Sequence, residues 1–402
     1  MLCQFSFSNF RSYRDETVFD MQATIATEHQ ESLITSYPGI RALPTSVIYG
    51  PNGGGKSNLL AAFGALIDLV VRPIKELKKN RVPIIVQESI PILAFAFDDK
   101  SKNLPTSFEV FFTANSHEYR YYISILHGEV IEESLYRRLP NAKKPAKVFV
   151  RTNDTIEVGT VLKAGTINKS VNAKMPFLSF LGINYESQLI RDVITWFESC
   201  IVKNYASALS EFEMLYASND DAKKVFIGVL NSLGIDISDF HMDEEKKALV
   251  TERLIENQRF ELNLLDESDG TQKLFNILPL IVIALTEGRT IVIDELDAKL
   301  HPNLLRNIVK LFTSPEINRL GAQLVFTSHD MTIMKNSVFR RDEIWFACLG
   351  ESHASRIYSL FDIQDERNEK VSTRENYNKQ YLEGRYGADP YFRKMMLWGD
   401  ET

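Results

Sequence analysis

The chain has 402 residues, of which 44% are hydrophobic and 25% are charged. A chain of this length and composition can bury an extensive core and divide into two or three lobes, as a large soluble globular protein does. The net charge of −7 gives no strong general preference for nucleic acid.

Membrane and secretion signals are missing from the sequence. The longest apolar stretch, residues 274–285, is about a dozen residues long and includes a proline, whereas a membrane span needs about 20. The start of the chain lacks the pattern of a signal peptide. Cys3, Cys200 and Cys348 are scattered, which suits a reducing cytoplasm and gives no metal pattern. We therefore expect a cytoplasmic protein without a membrane partner.

The first motif lies at residues 50–57, which read GPNGGGKS and match the pattern GxxxxGKS. A short β-prone run, Thr45–Tyr49, precedes it, and an apolar periodic helix begins at about Asn58. Glycines let successive amide groups turn inward, and a helix presents its positive N-terminus to anions. The motif predicts a phosphate cradle in which Lys56 reaches the phosphates and Ser57 offers its hydroxyl to Mg²⁺. The alternative is a glycine-rich surface turn.

The middle of the chain changes from strand to helix patterns. Residues 106–112 and 119–125 alternate with a period of two, which predicts half-exposed antiparallel strands. From about 170 to 250 the pattern is helical, and no sustained heptads predict a long coiled coil. Basic clusters at 75–81 and 137–147 are more typical of a solvated face than of a DNA-binding groove, so nucleic acid stays a possible partner only.

Three further segments follow in the second half. Residues 267–272 read ESDGTQ and lead into an apolar helix, and residues 291–297 read IVIDELD. A second apolar strand, 323–328, closes on His329. Taken alone, an acid pair after a β-branched run also describes an ordinary strand exit.

The order of these four segments resembles the Walker A, signature, Walker B with D-loop, and switch histidine of the ABC-type ATPases. Lys56 and Asp294 stand 238 positions apart (294 − 56), a gap similar to that of the RecF, SMC and OLD-like branch of AAA family ATPases. The opening, residues 7–13, is similar to the first strand of that branch. The closing segment, residues 381–388, resembles the tail of bacterial RloA/AbiL-type ATPases from phage-defence loci.

The resemblance implies an α/β fold, namely a two-lobed ABC-type P-loop ATPase head with mixed β-sheets, a helical insertion and no long coiled coil. The implied division is residues 1–168 for lobe I with Walker A and antiparallel strands, 169–250 for the helical insertion, and 251–402 for lobe II with the other motifs.

The resemblance also implies ATP and Mg²⁺ as cofactors. Lys56 would neutralise phosphate charge, Ser57 and Asp294 would organise Mg²⁺, Glu295 would polarise the attacking water, and His329 would sense the γ-phosphate. The implied nucleotide-binding residues are Arg11, Asn52, Gly53, Gly54, Gly55, Lys56, Ser57, Asn58, Ser268, Gly270 and Asp297.

In this family two heads sandwich each nucleotide, which implies a homodimer or a higher homo-oligomer. Ser268 and Gly270 would then face the γ-phosphate bound by the partner. The signature departs from LSGGQ by placing Asp269 near that phosphate, where an acid is unfavourable unless it points away. Asp297 either links the heads or caps the following helix. Gln87 is a candidate for the glutamine that couples Mg²⁺ to motion, with a surface glutamine as the alternative.

Three functions fit this pattern. The first is an ATPase that controls a separately encoded effector, a nuclease or toxin, in bacterial anti-phage defence. Only 72 residues follow Asp330 (402 − 330), so a Toprim nuclease like that of OLD relatives is not expected within the chain. The second is a nucleotide-gated scaffold that sequesters a toxic partner, and the third is a RecF-like DNA repair ATPase.

Overall fold

The structure is a computed structural model that describes residues 1–77, 90–140, 142–162, 166–203, 220–243, 248–364, 370–372 and 375–387. Within these ranges the chain forms three β-sheets and seven helices. The helices are α1 (Lys56–Leu77), α2 (Phe177–Asn184), α3 (Gln188–Ser199), α4 (Asp220–Ser232), α5 (Asp269–Glu287), α6 (Pro302–Thr313) and α7 (Tyr377–Leu382). The strands are β1 (Leu2–Ser8), β2 (Thr17–Asp20), β3 (Thr45–Tyr49), β4 (Thr106–Ala114), β5 (His117–Leu126), β6 (Glu129–Arg138), β7 (Ala146–Thr152), β8 (Thr155–Val158), β9 (Ile201–Lys203), β10 (Asp239–Asp243), β11 (Ala248–Ile255), β12 (Gln258–Asn263), β13 (Thr290–Ile293), β14 (Gln323–Thr327), β15 (Ile344–Leu349) and β16 (Ser355–Ser359).

A six-stranded sheet carries both predicted phosphate motifs. Its order is β16-β15-β3-β14-β13-β9, and all its neighbouring pairs are parallel except β15 with β16. The carboxyl ends of β3, β13 and β14 therefore lie at one edge of the sheet, which is where open α/β sheets bind their ligands. The motif that follows β3 and the acids that follow β13 meet at this edge.

The other two sheets are antiparallel. Seven strands pair in the order β2-β1-β4-β5-β6-β7-β8, and β10, β11 and β12 form a small separate sheet. The strands predicted at 106–112 and 119–125 are β4 and β5, which pair with each other as expected. Alternate residues of β4 are buried, because one face of this sheet covers the core.

Two hydrophobic cores cover the two faces of the six-stranded sheet. On one face, Ile48 of β3 packs with α1, α2, α3 and the seven-stranded sheet. On the other face, Val47 and Tyr49 pack with α5, α6 and α7. Strands that are buried on both faces read as continuous apolar runs, and this explains why β3, β13 and β14 are fully buried.

Gln323, at the start of β14, joins the two large sheets through buried hydrogen bonds. Its side-chain oxygen accepts from the backbone N–H of Leu2 at 2.6 Å, and its side-chain nitrogen donates to the carbonyl oxygens of Leu2 and Leu43 at 3.0 and 3.1 Å. The side chain is fully buried. Because β1 opens the antiparallel lobe, this one side chain ties that lobe to the phosphate-motif sheet.

The predicted fold class is confirmed: the protein is a two-lobed α/β protein with mixed sheets and helices between them, and the described residues contain no long coiled coil. The segment from 169 to 250 holds α2, α3 and α4 but also β9, β10 and the start of β11. β9 pairs with β13, so this part of the chain also completes the six-stranded sheet. The division into three domains stays a prediction.

Helix α1 alone, among the described helices, is long and apolar enough to cross a membrane by length and composition. About two thirds of that apolar window, 67%, is buried inside the protein. This burial is what the central helix of a folded core shows, so α1 is weak evidence for a membrane span.

Candidate functional site

The loop between β3 and α1 has the shape that the glycines of its motif predict. Gly50, Gly53 and Gly55 have φ angles of 146°, 77° and 110°, which residues with a side chain rarely adopt. A Cβ atom at Gly50 would lie 2.0 Å from the carbonyl oxygen of Ala347, and one at Gly54 would lie 2.6 Å from the same atom. The loop is therefore pressed against β15 at Gly50 and Gly54, while Asn52 and Gly53 are exposed.

Lys56 is the first residue of α1 and is 6% exposed. Its ammonium group donates hydrogen bonds to the carbonyl oxygens of Gly50 and Pro51 at 2.8 and 3.1 Å. Burial lowers the pKa of Lys56, and the negative charges of the three acids in the IVIDELD segment raise it. The structure thus brings the lysine of the first motif and the acids of the second motif into one site.

Thr327, at the end of β14, fixes the two acids that follow β13. Its hydroxyl donates to Oδ1 of Asp294 at 2.6 Å and accepts from the backbone N–H of Glu295 at 2.7 Å. Glu295 has a φ angle of 50°, and its side chain is exposed. The strand is therefore followed by a left-handed residue whose side chain is exposed at the sheet edge, and its role in activating water stays a prediction.

Asp297 connects the turn after β13 to the turn after β14. Its Oδ2 accepts hydrogen bonds from the backbone N–H groups of His329 and Asp330 at 2.9 and 3.0 Å. Helix α6 is capped instead by His301, whose Nδ1 accepts from the N–H of Asn303 at 3.2 Å. The alternative that Asp297 caps this helix is wrong, whereas its link between two heads stays a prediction.

A cavity of about 440 Å³ lies beside the phosphate loop. Gly50, Asn52 and Gly54 line it from the loop, and His329 lines it from the turn after β14. Tyr381 of α7 contributes to the wall. His329, the predicted switch histidine, and the phosphate loop thus face the same space.

Arg11 lies next to α1, where it touches a predicted binding residue. Its Nη1 donates to Oδ1 of Asn58 at 3.4 Å, and its guanidinium lies 5.2 Å from the ring centre of Phe10. The side-chain nitrogen of Asn58 donates to the hydroxyl of Ser12 at 2.8 Å, which contacts the hydroxyl of Ser355 at 2.8 Å. The arginine Nε is buried without a hydrogen-bond partner in the described part of the chain.

The residues of the predicted signature lie outside this cavity. Ser268 caps α5 and accepts from the N–H of Thr271 at 3.2 Å. A Cβ at Gly270 would lie 3.2 Å from the carbonyl oxygen of Lys299, so this end of the helix packs on the turn after β13. Asp269 forms an exposed ion pair with Lys299 at 3.2 Å, which turns its charge toward its own chain. In the described ranges of the chain, no hydrogen bond or ion pair joins Ser268 to the phosphate loop.

The site fits ATP and Mg²⁺ by its donor set. The loop offers backbone N–H groups at the start of a long helix, and its glycines let it lie close against Ala347 and Ser355. The hydroxyl of Ser57 and the carboxylate of Asp294 are oxygen ligands of the kind that Mg²⁺ prefers. Ser57 is exposed at the mouth of the loop, with Gly53 and Gly55 before it.

Sequence reasoning missed two residues that hold the site together, Thr327 and Lys273. Thr327 begins the TSHD segment, and its position two residues before His329 could have indicated that it lies in the site. Lys273 follows ESDGTQ directly and donates to the carbonyl oxygen of Glu295 at 2.7 Å. Gln87 lies outside the described residues, so the structure says nothing about its role.

Two residues of the predicted basic clusters are paired with acids in the described part of the chain. In the cluster at 137–147, Arg138 pairs with Glu118, and Lys147 pairs with Glu157 at 2.6 Å. Residues 78–81 of the other cluster lie outside the described ranges.

The sequence of residues 46–335 matches the family described as "AAA domain, putative AbiEii toxin, Type IV TA system". The chain belongs to this family. It therefore has an AAA domain, whereas the ABC-type assignment and the closeness to the RloA/AbiL branch stay predictions. A comparison with curated proteins finds no match.

Solved structures of SMC heads are similar over most of their length. The crystal structure of an SMC head bound to the C-winged helix domain of ScpA is 13% identical, with 92% of this chain and 99% of that chain covered and a TM-score of 0.46. The SMC head domain from Thermotoga maritima is 14% identical, with 89% and 98% covered and a TM-score of 0.42. At these values the description of the fold rests on this chain's own strand order.

Proposed function

We propose that the protein hydrolyses ATP as an ABC-type ATPase. The observation that carries this proposal is the meeting of Lys56 with Asp294 and Glu295 at one sheet edge, where His329 faces the same loop. Bound Mg²⁺, held by Ser57 and Asp294, would supply charge stabilisation to the phosphate oxygens. The loop amides and Lys56 bind and orient the phosphates, while Glu295 takes the proton of the attacking water.

We further propose that two copies form each complete site. The support is that Ser268 and Gly270 sit exposed or half-exposed at the start of α5, away from the cavity beside their own loop. A helix start with free amides is suited to a phosphate held by another copy. Asp269 is turned to Lys299 and so places less negative charge in the way.

Control of a separately encoded effector in anti-phage defence is the biological role that we propose, in the cytoplasm. The support is the family, whose description names a toxin of a toxin–antitoxin system, together with the resemblance of the closing segment. A test is co-purification of the protein with products of neighbouring genes, with and without ATP. If ATP changes no association, effector control is contradicted while the ATPase proposal stands.

ATP turnover as a function of protein concentration tests the enzymatic proposal. Lys56→Ala should lose turnover about a hundredfold or more because it removes phosphate charge stabilisation, and Glu295→Gln should bind ATP, turn over slowly and stay dimeric. Two exposed positions, Lys144→Ala and Glu129→Gln, are matched controls that should behave as wild type.

The same experiment separates the other functions. Bound nucleotide with flat or absent turnover in the wild type favours the nucleotide-gated scaffold over the ATPase. Turnover that rises on addition of duplex, single-stranded or nicked DNA favours a RecF-like role over effector control.

A further inference from the structure

The first turns of α5 touch the turn that carries Glu295. Gly270 packs on the carbonyl oxygen of Lys299, and Asp269 pairs with the ammonium group of the same lysine. One turn further along, Lys273 reaches the carbonyl oxygen of Glu295. The helix that begins at the predicted signature is therefore in contact, through Lys273, with the backbone of Glu295 in the same chain.

Lys273 is buried deeply for a cation, with 3% of its surface exposed. Burial lowers its pKa to about 8, the charges of Asp297 and Glu295 raise it, and Lys299 lowers it. Taking an ammonium group out of water is costly unless acids and hydrogen-bond acceptors surround it. The nearby acids and the carbonyl oxygen of Glu295 therefore hold the ammonium group of Lys273 in place in the first turns of α5.

The backbone of Glu295 is held from both sides. Its N–H donates to the hydroxyl of Thr327 at 2.7 Å. Its carbonyl oxygen accepts from the ammonium group of Lys273 at 2.7 Å and from the N–H of Ala298 at 3.1 Å. The left-handed φ of 50° is unfavourable for a glutamate and needs such support. The direction of the exposed carboxylate depends on these contacts.

We propose that Lys273 is a positioning residue that couples the signature helix to Glu295 of the same chain. A movement of α5, when Ser268 and Gly270 engage a phosphate on a second copy, shifts Lys273 and with it the peptide of Glu295. Each subunit thereby orients its own water-activating acid when it engages its partner's nucleotide. This inference rests on the proposed ATPase function.

The test uses Lys273→Met, which keeps the length of the side chain and removes the hydrogen-bond donor. We expect kcat to fall about 10- to 100-fold, as for other groups that orient a catalytic residue, with an unchanged Kd for ATP because Lys273 does not line the cavity beside the phosphate loop. Lys273→Arg should restore part of kcat. Lys310→Met, at an exposed lysine on α6, is the control and should match wild type.

A double variant shows whether Lys273 acts through Glu295. In single-turnover measurements Lys273→Met/Glu295→Gln should be no slower than Glu295→Gln alone, because the orienting contact has nothing left to orient. The thermal midpoint of Lys273→Met should fall, because removing one member of a buried group of charges leaves the others without compensation. The kinetic comparison is therefore made at a temperature at which both proteins are fully folded.

Several results would overturn the inference. Additive losses in the double variant, an unchanged kcat in Lys273→Met, or a raised Kd for ATP with an unchanged kcat would each do so. If Lys273→Met does not fold, Lys273→Arg is used in its place. Its partial loss of kcat should disappear in the Glu295→Gln background, and a loss that persists there would contradict the coupling. Absence of turnover in the wild type removes the ATPase proposal and this inference together, whereas the results above remove the inference alone.

Discussion

Thr327 positions two predicted functional residues of the site through a single hydroxyl group. One hydroxyl contacts Asp294 and the peptide of Glu295, the residues proposed to hold Mg²⁺ and to activate water. The side chain is fully buried, so it has no competing water. A hydroxyl that donates to one acid and accepts from the next peptide fixes the spacing of two functional groups at once.

Replacing this hydroxyl tests its contribution. Thr327→Val keeps the shape and removes both hydrogen bonds, and we expect ATP turnover to fall about tenfold or more because outer contacts of metal-site ligands commonly contribute that much. Thr327→Ser keeps the hydroxyl and is the matched control. Steady-state turnover with varied Mg²⁺ measures both, and equal activity in the valine and serine variants would contradict the role.

Gly50 is required by geometry. Its φ of 146° and the Ala347 carbonyl oxygen, 2.0 Å from an added Cβ, leave no room for a side chain. Gly50→Ala must displace either the phosphate loop or β15, so we expect ATP affinity to fall at least about tenfold, measured by calorimetry. Gly228→Ala in α4, where an added Cβ meets no atom within 4 Å, is the control. Wild-type affinity in Gly50→Ala would contradict the tight loop.

At the scale of elements, local patterns were enough to predict the strand and helix on each side of the phosphate loop. The β-branched run gives β3, and the apolar repeat gives α1. The pairing of β3 with β14 and β15 depends on contacts between distant parts of the sequence, which local periodicity does not carry. The same limit explains why the three-residue β9 and the contact of Lys273 with Glu295 were missed.

In the candidate site, too, the motifs could be recognised from the sequence, whereas the contacts between distant residues could not. Lys56 and Asp294 come from motifs whose chemistry is readable in the sequence, and the structure brings them together. For Asp297 the sequence left two roles open, a link between two heads or a cap of the following helix. An acid shortly before a helix is compatible with both, so the sequence alone does not distinguish them. The structure shows the hydrogen bonds to the N–H groups of His329 and Asp330.

Gln323 gives a prediction about how the two large sheets are joined. Gln323→Leu would leave the N–H and carbonyl groups that it now satisfies at Leu2 and Leu43 buried without partners. We expect the free energy of unfolding to fall by about 3 kcal/mol. Gln258→Leu makes the same change at an exposed position in β12 and should have little effect. Urea unfolding compares the two variants, and equal midpoints would contradict the role of Gln323 in joining the two large sheets.

At the scale of the whole molecule, two buried acids set part of the pH dependence of stability. Burial raises the pKa of Glu133 to about 7 and that of Glu343 to about 8. Glu133 accepts hydrogen bonds from the N–H of Leu178 at 2.9 Å and from the hydroxyl of Tyr121 at 3.0 Å. Both acids are 1% exposed, and they lie in different parts of the fold.

The sign of the effect follows from which state binds the proton. Between about pH 4.5 and 8 the unfolded chain has released protons that the folded protein keeps on these two acids. The free energy of unfolding should therefore fall as pH rises through this window, by up to a few kcal/mol. Urea unfolding between pH 5 and 8.5 measures it. Glu133→Gln should reduce the dependence of the free energy of unfolding on pH, whereas Glu129→Gln, at an exposed position, should not. Equal pH dependence in the two variants would contradict the role of Glu133.

The strand order of the six-stranded sheet has a consequence for how the protein is made. β3 and its phosphate loop leave the ribosome early, while their neighbours β14 and β15 begin only at Gln323 and Ile344. Until then β3 has two unpaired edges, and Gly50 has no Ala347 to pack against. A nascent or truncated chain that stops before β15 therefore carries the ATP motif without the support that shapes it. If the protein binds nucleotide as proposed, it should do so only after β14 and β15 have been synthesised and have paired with β3.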